Sequence, residues 1–385
     1  MIRSLFLLTS LACAGLAADP AVLGRIEPRM KAHIDRGAIH GTVTLVLEKG
    51  KLVHHAAVGM ADKENGKAMR KDSIFQIMSM TKPFTGVGIM MLVEEGKLNL
   101  NDPVGKYVPE FQHHQGMTVR HLMTHTSGLG GGTPPGNADW YYSMKISLAE
   151  AVKYYATTPL LFTPGTKWSY SNMGIATLGR IIENLSGVSF ENFIAQRILV
   201  PLGMTDTFFF PDKATAEQRG RIVVNYCSAG PAGNQKLEPC GHTTLGGDSR
   251  KLRAGATYSA PEFGLFSTAL DLSRFYQMML NGGTYEGKRL LSKASVAAMT
   301  MTQTGDLATG HNPGSTFGLT WEVTRDAAGA AMLWSPGTFG HGGAFGTHGW
   351  IDPAKQVVGV FMVQGGYGAT EAKYNFIAMA SAAAE

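Results

Sequence analysis

Ser79 and Lys82 stand three residues apart in Ser79-Met80-Thr81-Lys82, which follows a short strand-like run and opens a helical pattern. On a helix that spacing stacks the two side chains on one face, one turn apart. A serine hydroxyl holds its proton too tightly to attack at neutral pH. A lysine in an apolar, partly cationic pocket sheds its own proton and can then accept that of the serine. The helix N-terminus adds N–H groups and a positive dipole end close to where an oxyanion would develop. Taken alone, the same spacing also fits a solvated helix face. A second element is Tyr170-Ser171-Asn172, in a loop before a helical pattern starting near Gly174. A tyrosine bonded to a lysine can shuttle a proton from nucleophile to leaving group, and an asparagine amide can hold a substrate carbonyl or orient the lysine. By itself the tripeptide reads equally as a helix N-cap beside a core tyrosine. The third element is His341-Gly342-Gly343-Ala344-Phe345-Gly346, just before a strand pattern. Two glycines let a substrate backbone approach a strand edge, and the Ala344 N–H could complete an oxyanion hole with that of Ser79.

These groups act together only if the intervening chain brings them together. After a helix predicted near Val22 to Arg36, Thr42 to Glu48 and Lys51 to Gly59 read as a hairpin, and Ser73 to Ile77 as a short strand. Apolar residues at three- and four-residue intervals predict helices over Thr81 to Glu95, Thr118 to Thr124, Ser147 to Ala156, Gly174 to Leu185 and Ser189 to Leu199. Further helices are expected near Leu270 to Leu280 and Ser292 to Met301. The chain then returns to strands at Phe317 to Val323, Gly346 to Ile351 and Gln356 to Val363, and ends on a helix over Thr370 to Ala382. Strands at both ends imply an α+β fold. One antiparallel sheet joins the ends under the terminal helices, with an inserted helical lobe and a cleft between them. The expected division is a sheet lobe over about 18–78 and 260–385 and a helical lobe over about 79–259, within one catalytic domain.

In this order and at these separations, the three elements resemble the serine penicillin-recognising family of class C β-lactamases, DD-peptidases and family VIII carboxylesterases. The resemblance covers most of the chain after its start. Val119 to Leu129, Phe162 to Asn172, Ile198 to Thr207 and Phe266 to Leu272 are similar to segments common in that family. It implies a β-lactamase/transpeptidase-like fold, Ser79 as acylating nucleophile and Lys82 as its proton acceptor. Tyr170 would be proton shuttle and deacylation base, Asn172 a contact to substrate and lysine, and His341, Gly342, Gly343 and Ala344 the substrate-binding strand edge. Class C β-lactamases carry Lys-Thr-Gly where this chain has His341-Gly342-Gly343. A lysine there is a fixed positive charge for the β-lactam carboxylate, whereas an unperturbed histidine is mostly neutral at pH 7. The favoured expectation is an acyl-enzyme hydrolase of small esters or amides; the alternative is a β-lactamase or DD-peptidase acting on β-lactams or D-Ala-D-Ala peptides. Trp140-Tyr141-Tyr142 is expected to help line an apolar acyl pocket. From a different class, a non-catalytic binder of cell-wall fragments would carry the same scaffold, but it would be expected to have lost Ser79, Lys82 or Tyr170.

Composition agrees with an enzyme. At 385 residues, with 44% hydrophobic and 16% charged residues, the chain has ample material for a core. The formal charge of +5 is scattered without a basic cluster, so nucleic acid is not an expected partner. Residues 1–17 read as an export signal: Arg3, the apolar run Leu5 to Leu11, then Gly15-Leu16-Ala17. A periplasmic or secreted protein is therefore expected, with a lipid anchor at Cys13 as a weaker alternative, and no later apolar run long enough to span a membrane. Cys227 and Cys240 flank a Gly/Pro-rich stretch, a pattern that fits either a loop-closing disulfide or two unrelated thiols.

Other chemistries fit less well. No serine has glycine at both minus two and plus two, which argues against a nucleophile elbow. His121 and His125 share a helical face but lack the glutamate of a zinc-protease motif. No metal or cofactor is called for.

Overall fold

The computed structural model describes residues 18–131, 141, 143–229, 236–241, 253–309, 312–329, 332–365 and 369–384. The stretch read as an export signal, Cys13 included, lies outside them, as do Trp140 and Tyr142 of the expected acyl pocket. Eight strands form one antiparallel sheet: β1 (Gly41–Glu48), β2 (Lys51–Asp62), β3 (Lys67–Ala68), β4 (Ser315–Phe317), β5 (Glu322–Thr324), β6 (Phe339–Gly342), β7 (His348–Asp352) and β8 (Val357–Val363). Their spatial order is β4-β5-β6-β7-β8-β1-β2-β3. The two ends of the chain meet where β1 pairs with β8, from Thr42 opposite Val363 to Glu48 opposite Val357.

Both central strands are buried along their whole length, and their side chains alternate between two cores. Val43, Leu45, Val358, Val360 and Met362 face the larger core, shared with the helical part of the chain. Val46, Val357, Phe361 and Val363 face a smaller core closed by the terminal helices. A one-residue slip between β1 and β8 would exchange the two sets, so the register is held by both cores. Tight packing fixes the layers further. A Cβ on Gly349 would run into the Tyr276 ring, and one on Gly359 into the Trp350 ring.

Five helices matter for the site: α1 (Ile26–Asp35), α2 (Lys82–Glu94), α3 (Asn172–Ser186), α4 (Ala269–Leu280) and α5 (Thr370–Ala383). Helix α2 is buried on every side from Lys82 to Leu92, as its near-uniform apolarity demands. Three features depart from expectation. The first helix is two pieces, Pro20–Leu23 and Ile26–Asp35, because Pro28 cannot donate to the Gly24 carbonyl and forces a restart. The strand expected over Phe317 to Val323 is a tight hairpin of β4 and β5, with Thr320 at φ 67° and both Leu319 and Trp321 fully buried between them. The short strand before Ser79 contracts to Phe75–Gln76, paired with Phe266–Ser267.

Cys227 and Cys240 are joined as a disulfide, Cα atoms 4.9 Å apart, at the base of the hairpin Tyr226–Ala229/Lys236–Pro239. Closing a loop of this length contributes about 3 kcal/mol through the unfolded chain. Among the described residues no helix is long and apolar enough to cross a membrane.

Candidate active site

Ser79 sits in a 3-10 turn, Met78–Thr81, that runs directly into α2. Met78, just before it, is held in the left-handed region at φ 49°, a sparsely populated conformation for a side-chain-bearing residue. The strain has a local anchor, since Gln76 Nε2 donates to Met78 Sδ at 3.1 Å. The turn presents the Ser79 hydroxyl at the cleft and places Lys82 one turn deeper, fully buried.

The Lys82 amine has three partners: Asn172 Oδ1 at 2.8 Å, the Glu262 carbonyl at 2.9 Å and Ser79 Oγ at 3.0 Å. Two of these are carbonyl oxygens and can only accept, while a hydroxyl can do either. A neutral amine therefore gives its two N–H groups to Asn172 and Glu262 and turns its lone pair to the Ser79 hydroxyl. Burial brings Lys82 down to about 7, against a smaller opposing pull from Glu262. The neutral form is thus accessible at physiological pH, and its geometry is that of a base on Ser79.

Tyr170 reaches the same point from the loop before α3. Its hydroxyl is hydrogen-bonded to Ser79, and Lys82 Nζ lies 4.6 Å from its ring centroid. Burial holds the phenol well above its ordinary range, only partly offset by the bond to Ser79. Tyr170 is accordingly a neutral phenol in the resting site and not a standing tyrosinate. Its loop is locked from below by the segment after Thr124. Ser169 N donates to the His125 carbonyl at 2.9 Å, Ser171 N to His125 Nδ1 at 3.1 Å, and Ser171 Oγ to the Gly130 carbonyl at 3.0 Å. The His125 ring lies 4.5 Å from that of Tyr170. Asn172 is fixed at both ends of its amide, with Oδ1 on Lys82 and Nδ2 on the Gly131 carbonyl at 3.1 Å. This geometry makes it a holder of the lysine.

His341, Gly342, Gly343 and Ala344 line the same cleft of about 460 Å³ as Ser79 and Tyr170. Strand β6 carries His341 to the cleft wall, its ring 6.1 Å from that of Tyr170 and its Nδ1 on the Gly342 carbonyl at 2.8 Å. That bond places a proton on Nδ1 and orients the ring. The Gly343 N–H is committed to the Thr347 carbonyl at 2.7 Å, and the next N–H along the chain belongs to exposed Ala344. Glycine is required at 343, because a Cβ would overlap Thr347 Oγ1 and the Ile77 carbonyl, close to the turn that carries Ser79. A second cavity, about 320 Å³ beside Phe208 to Phe210, shares no lining residue with this cleft.

A serine, an amine beneath it, a phenol beside it and a glycine-rich strand edge lining the same cleft form an arrangement that can make and break an acyl bond. The family model for Beta-lactamase matches residues 25–384. The chain belongs to the beta-lactamase family. It is in kind a serine hydrolase. Esterase EstB of Burkholderia gladioli is 30% identical over 366 residues, covering 89% of this chain and 88% of EstB. Among solved structures, EstCE1, a hydrolase with promiscuous acyltransferase activity, superposes with a TM-score of 0.80 at 22% identity over 94% of this chain and 99% of its own. The octameric penicillin-binding protein homologue from Pyrococcus abyssi does so at 0.71 and 24% identity, over 90% of this chain and 74% of its own.

Several groups at this family site were not singled out from sequence. In sequence His125 stands out only as a helical neighbour of His121 within the family-like segment Val119 to Leu129. His121 Nδ1 accepts from Thr118 N, and His125 Nδ1 accepts from Ser171 N. Glu322 and Lys373 line the cleft, as does His348, which burial pushes well below its ordinary range. Burial also lowers Lys373, and Glu322 opposes that shift. Tyr141, the one described residue of the expected acyl pocket, is buried against Phe263 with ring centroids 5.7 Å apart.

Proposed function

We propose that the protein is an exported esterase that transfers the acyl group of small esters or amides to Ser79 and then to water. The observation that carries this reading is the convergence of Lys82 Nζ and the Tyr170 hydroxyl on Ser79 Oγ. Neutral Lys82 takes the Ser79 proton as Oγ attacks the substrate carbonyl, and the resulting oxyanion is met by the N–H groups of Ser79 and Ala344. The new ammonium, beside the Tyr170 ring, eases proton release from the phenol, so Tyr170 passes a proton to the departing alkoxide. Deacylation runs the same relay backward, with water in place of the alcohol.

Ester preference is supported by the charges around the cleft. The strand edge offers an imidazole bonded to its own neighbour's carbonyl instead of an ammonium. The other charged lining residues, Lys373 and Glu322, are one of each sign. A carboxylate-bearing substrate thus meets little net attraction. Lys373 is the one observation favouring the β-lactamase or DD-peptidase reading, since it supplies a cation near the reacting serine. A short-chain p-nitrophenyl ester, a chromogenic cephalosporin and a D-Ala-D-Ala peptide assayed in parallel are expected to rank in kcat/KM with the ester first and cephalosporin turnover feeble. Cephalosporin hydrolysis outpacing the ester would reverse the assignment.

Export is supported by the charged and apolar pattern of residues 1–17 and by a disulfide suited to an oxidising compartment. N-terminal sequencing of protein recovered from the periplasm or medium is expected to begin near Ala18. Recovery only from cytosol, with Met1 retained, would refute this.

A further inference from the structure

Behind Lys82 lies a buried polar cluster that the acyl-transfer steps do not use. The turn from Pro261 to Gly264 offers four consecutive carbonyls to buried donors. Thr85 Oγ1 donates to Pro261 at 2.7 Å, Lys82 Nζ to Glu262 at 2.9 Å, and the Arg253 guanidinium to Phe263 at 3.3 Å and to Gly264. Lys82 and Arg253 therefore grip one short turn, and the turn's own carboxyl, Glu262, is buried with no exposure to solvent. Tyr258 donates to Glu262 Oε1 at 2.6 Å, while Oε2 has no hydrogen-bond partner among the described residues. Arg253 is fully buried, and its two terminal nitrogens donate to the Phe209, Gly264 and Phe263 carbonyls, acceptors that leave its charge unneutralised.

We propose that Glu262 is a positioning residue acting through Lys82, a built-in counter-charge that sets the pH at which the lysine becomes a base. The inference rests on the acyl-enzyme reading above. In a medium of low polarity, a buried guanidinium drives its neighbours toward negative or neutral forms. With Arg253 charged, the cluster is neutral overall when Glu262 is ionised and Lys82 is not. That state is the one able to accept the Ser79 proton. The titratable groups facing Glu262 are Lys82 from α2, Arg253, Tyr258 from its own segment, Tyr155 from the helix Leu148–Ala156, and Tyr170. Burial raises all three phenols, so none adds charge near neutrality. Burial brings Glu262 up to about 7 and Lys82 down to about 7, so carboxyl and amine titrate as a coupled pair over the same range.

The sign is definite. An ionised Glu262 favours protonated Lys82, so removing the carboxylate must lower the pH at which Lys82 loses its proton, and uncompensated Arg253 pushes the same way. The experiment follows the rate of Ser79 labelling by a fluorophosphonate between about pH 5 and pH 9 in wild type, Glu262→Gln and Tyr258→Phe. Glu262→Gln is expected to move the acid limb down by about one pH unit while the alkaline plateau stays within about threefold of wild type. Tyr258→Phe removes the donor that favours the carboxylate and is expected to shift the limb in the same direction by less. It also serves as the test if the Gln variant does not fold. A limb that stays in place in the folded variants, with only thermal stability reduced, overturns the proposal and leaves Glu262 a structural partner of Arg253. Failure of wild-type Ser79 to be labelled overturns the acyl-enzyme reading and this inference with it.

Discussion

Ser79→Ala is expected to lower ester turnover by on the order of 10⁴- to 10⁶-fold, the scale on which a covalent nucleophile is missed. The loss should fall on kcat, because the cleft wall from His341 to Ala344 remains in place. Fold and stability should barely change. Ser79 contributes one of three contacts to Lys82, and the two carbonyl acceptors still fix the amine. Truncating a partly exposed hydroxyl at the head of α2 leaves no cavity to collapse. Active-site titration with a fluorophosphonate, followed by peptide mapping, checks both halves of this expectation. One equivalent of label should reside on the Ser79 peptide of wild type and none on the variant. Turnover surviving in the variant within about tenfold would mean that another group attacks the substrate, and the acyl-Ser79 assignment would fall. The same experiment separates an enzyme from a binder of cell-wall fragments, since a binder would take no stoichiometric label.

Which groups could be read beforehand follows from how each is held. Helical spacing brings Ser79 and Lys82 to one face, and Tyr170 and Asn172 flank the helix cap Ser171, but either pattern alone also fits an ordinary helix. They are legible because, jointly and in this order, they resemble a family's motifs. The central strands are legible because burial on both faces leaves a continuous apolar run in each. Glu262 and Arg253 offered no such signal. Glu262 meets Lys82 across 180 residues of sequence, through a backbone carbonyl that any residue type supplies. His125 is hidden for a similar reason. Its grip on the tyrosine loop depends on φ 59° at its own backbone, a local choice that periodicity does not report. The missed turn between β4 and β5 shows the limit of alternation, because Leu319 and Trp321 point into the same core from a turn and mimic strand residues.

Lys82→Met is expected to reduce kcat/KM by about 10³- to 10⁴-fold, the usual reach of a positioned general base, and to abolish the acid limb near pH 7. Methionine matches the lysine stem closely in length and leaves the helix packed, so the loss reports the amine. A fixed charge and a titrating base would fail differently. Below about 7 the wild-type amine is protonated and cannot accept the Ser79 proton, so activity must fall as pH drops through that value. Lys82→Arg keeps a cation at the position but cannot give up its proton at any relevant pH. If Lys82 served mainly as a positive charge steadying the oxyanion, the Arg variant would recover much of the activity and its profile would be flat. Under the base mechanism it should be as impaired as Met at every pH. Burst kinetics with a p-nitrophenyl ester across the pH range resolves the two, because the acylation step alone carries the Ser79 proton to Lys82. Rescue by Arg to within about tenfold of wild type would move the proton-accepting role away from Lys82 and leave Tyr170, already bonded to Ser79, as the group to which it must pass.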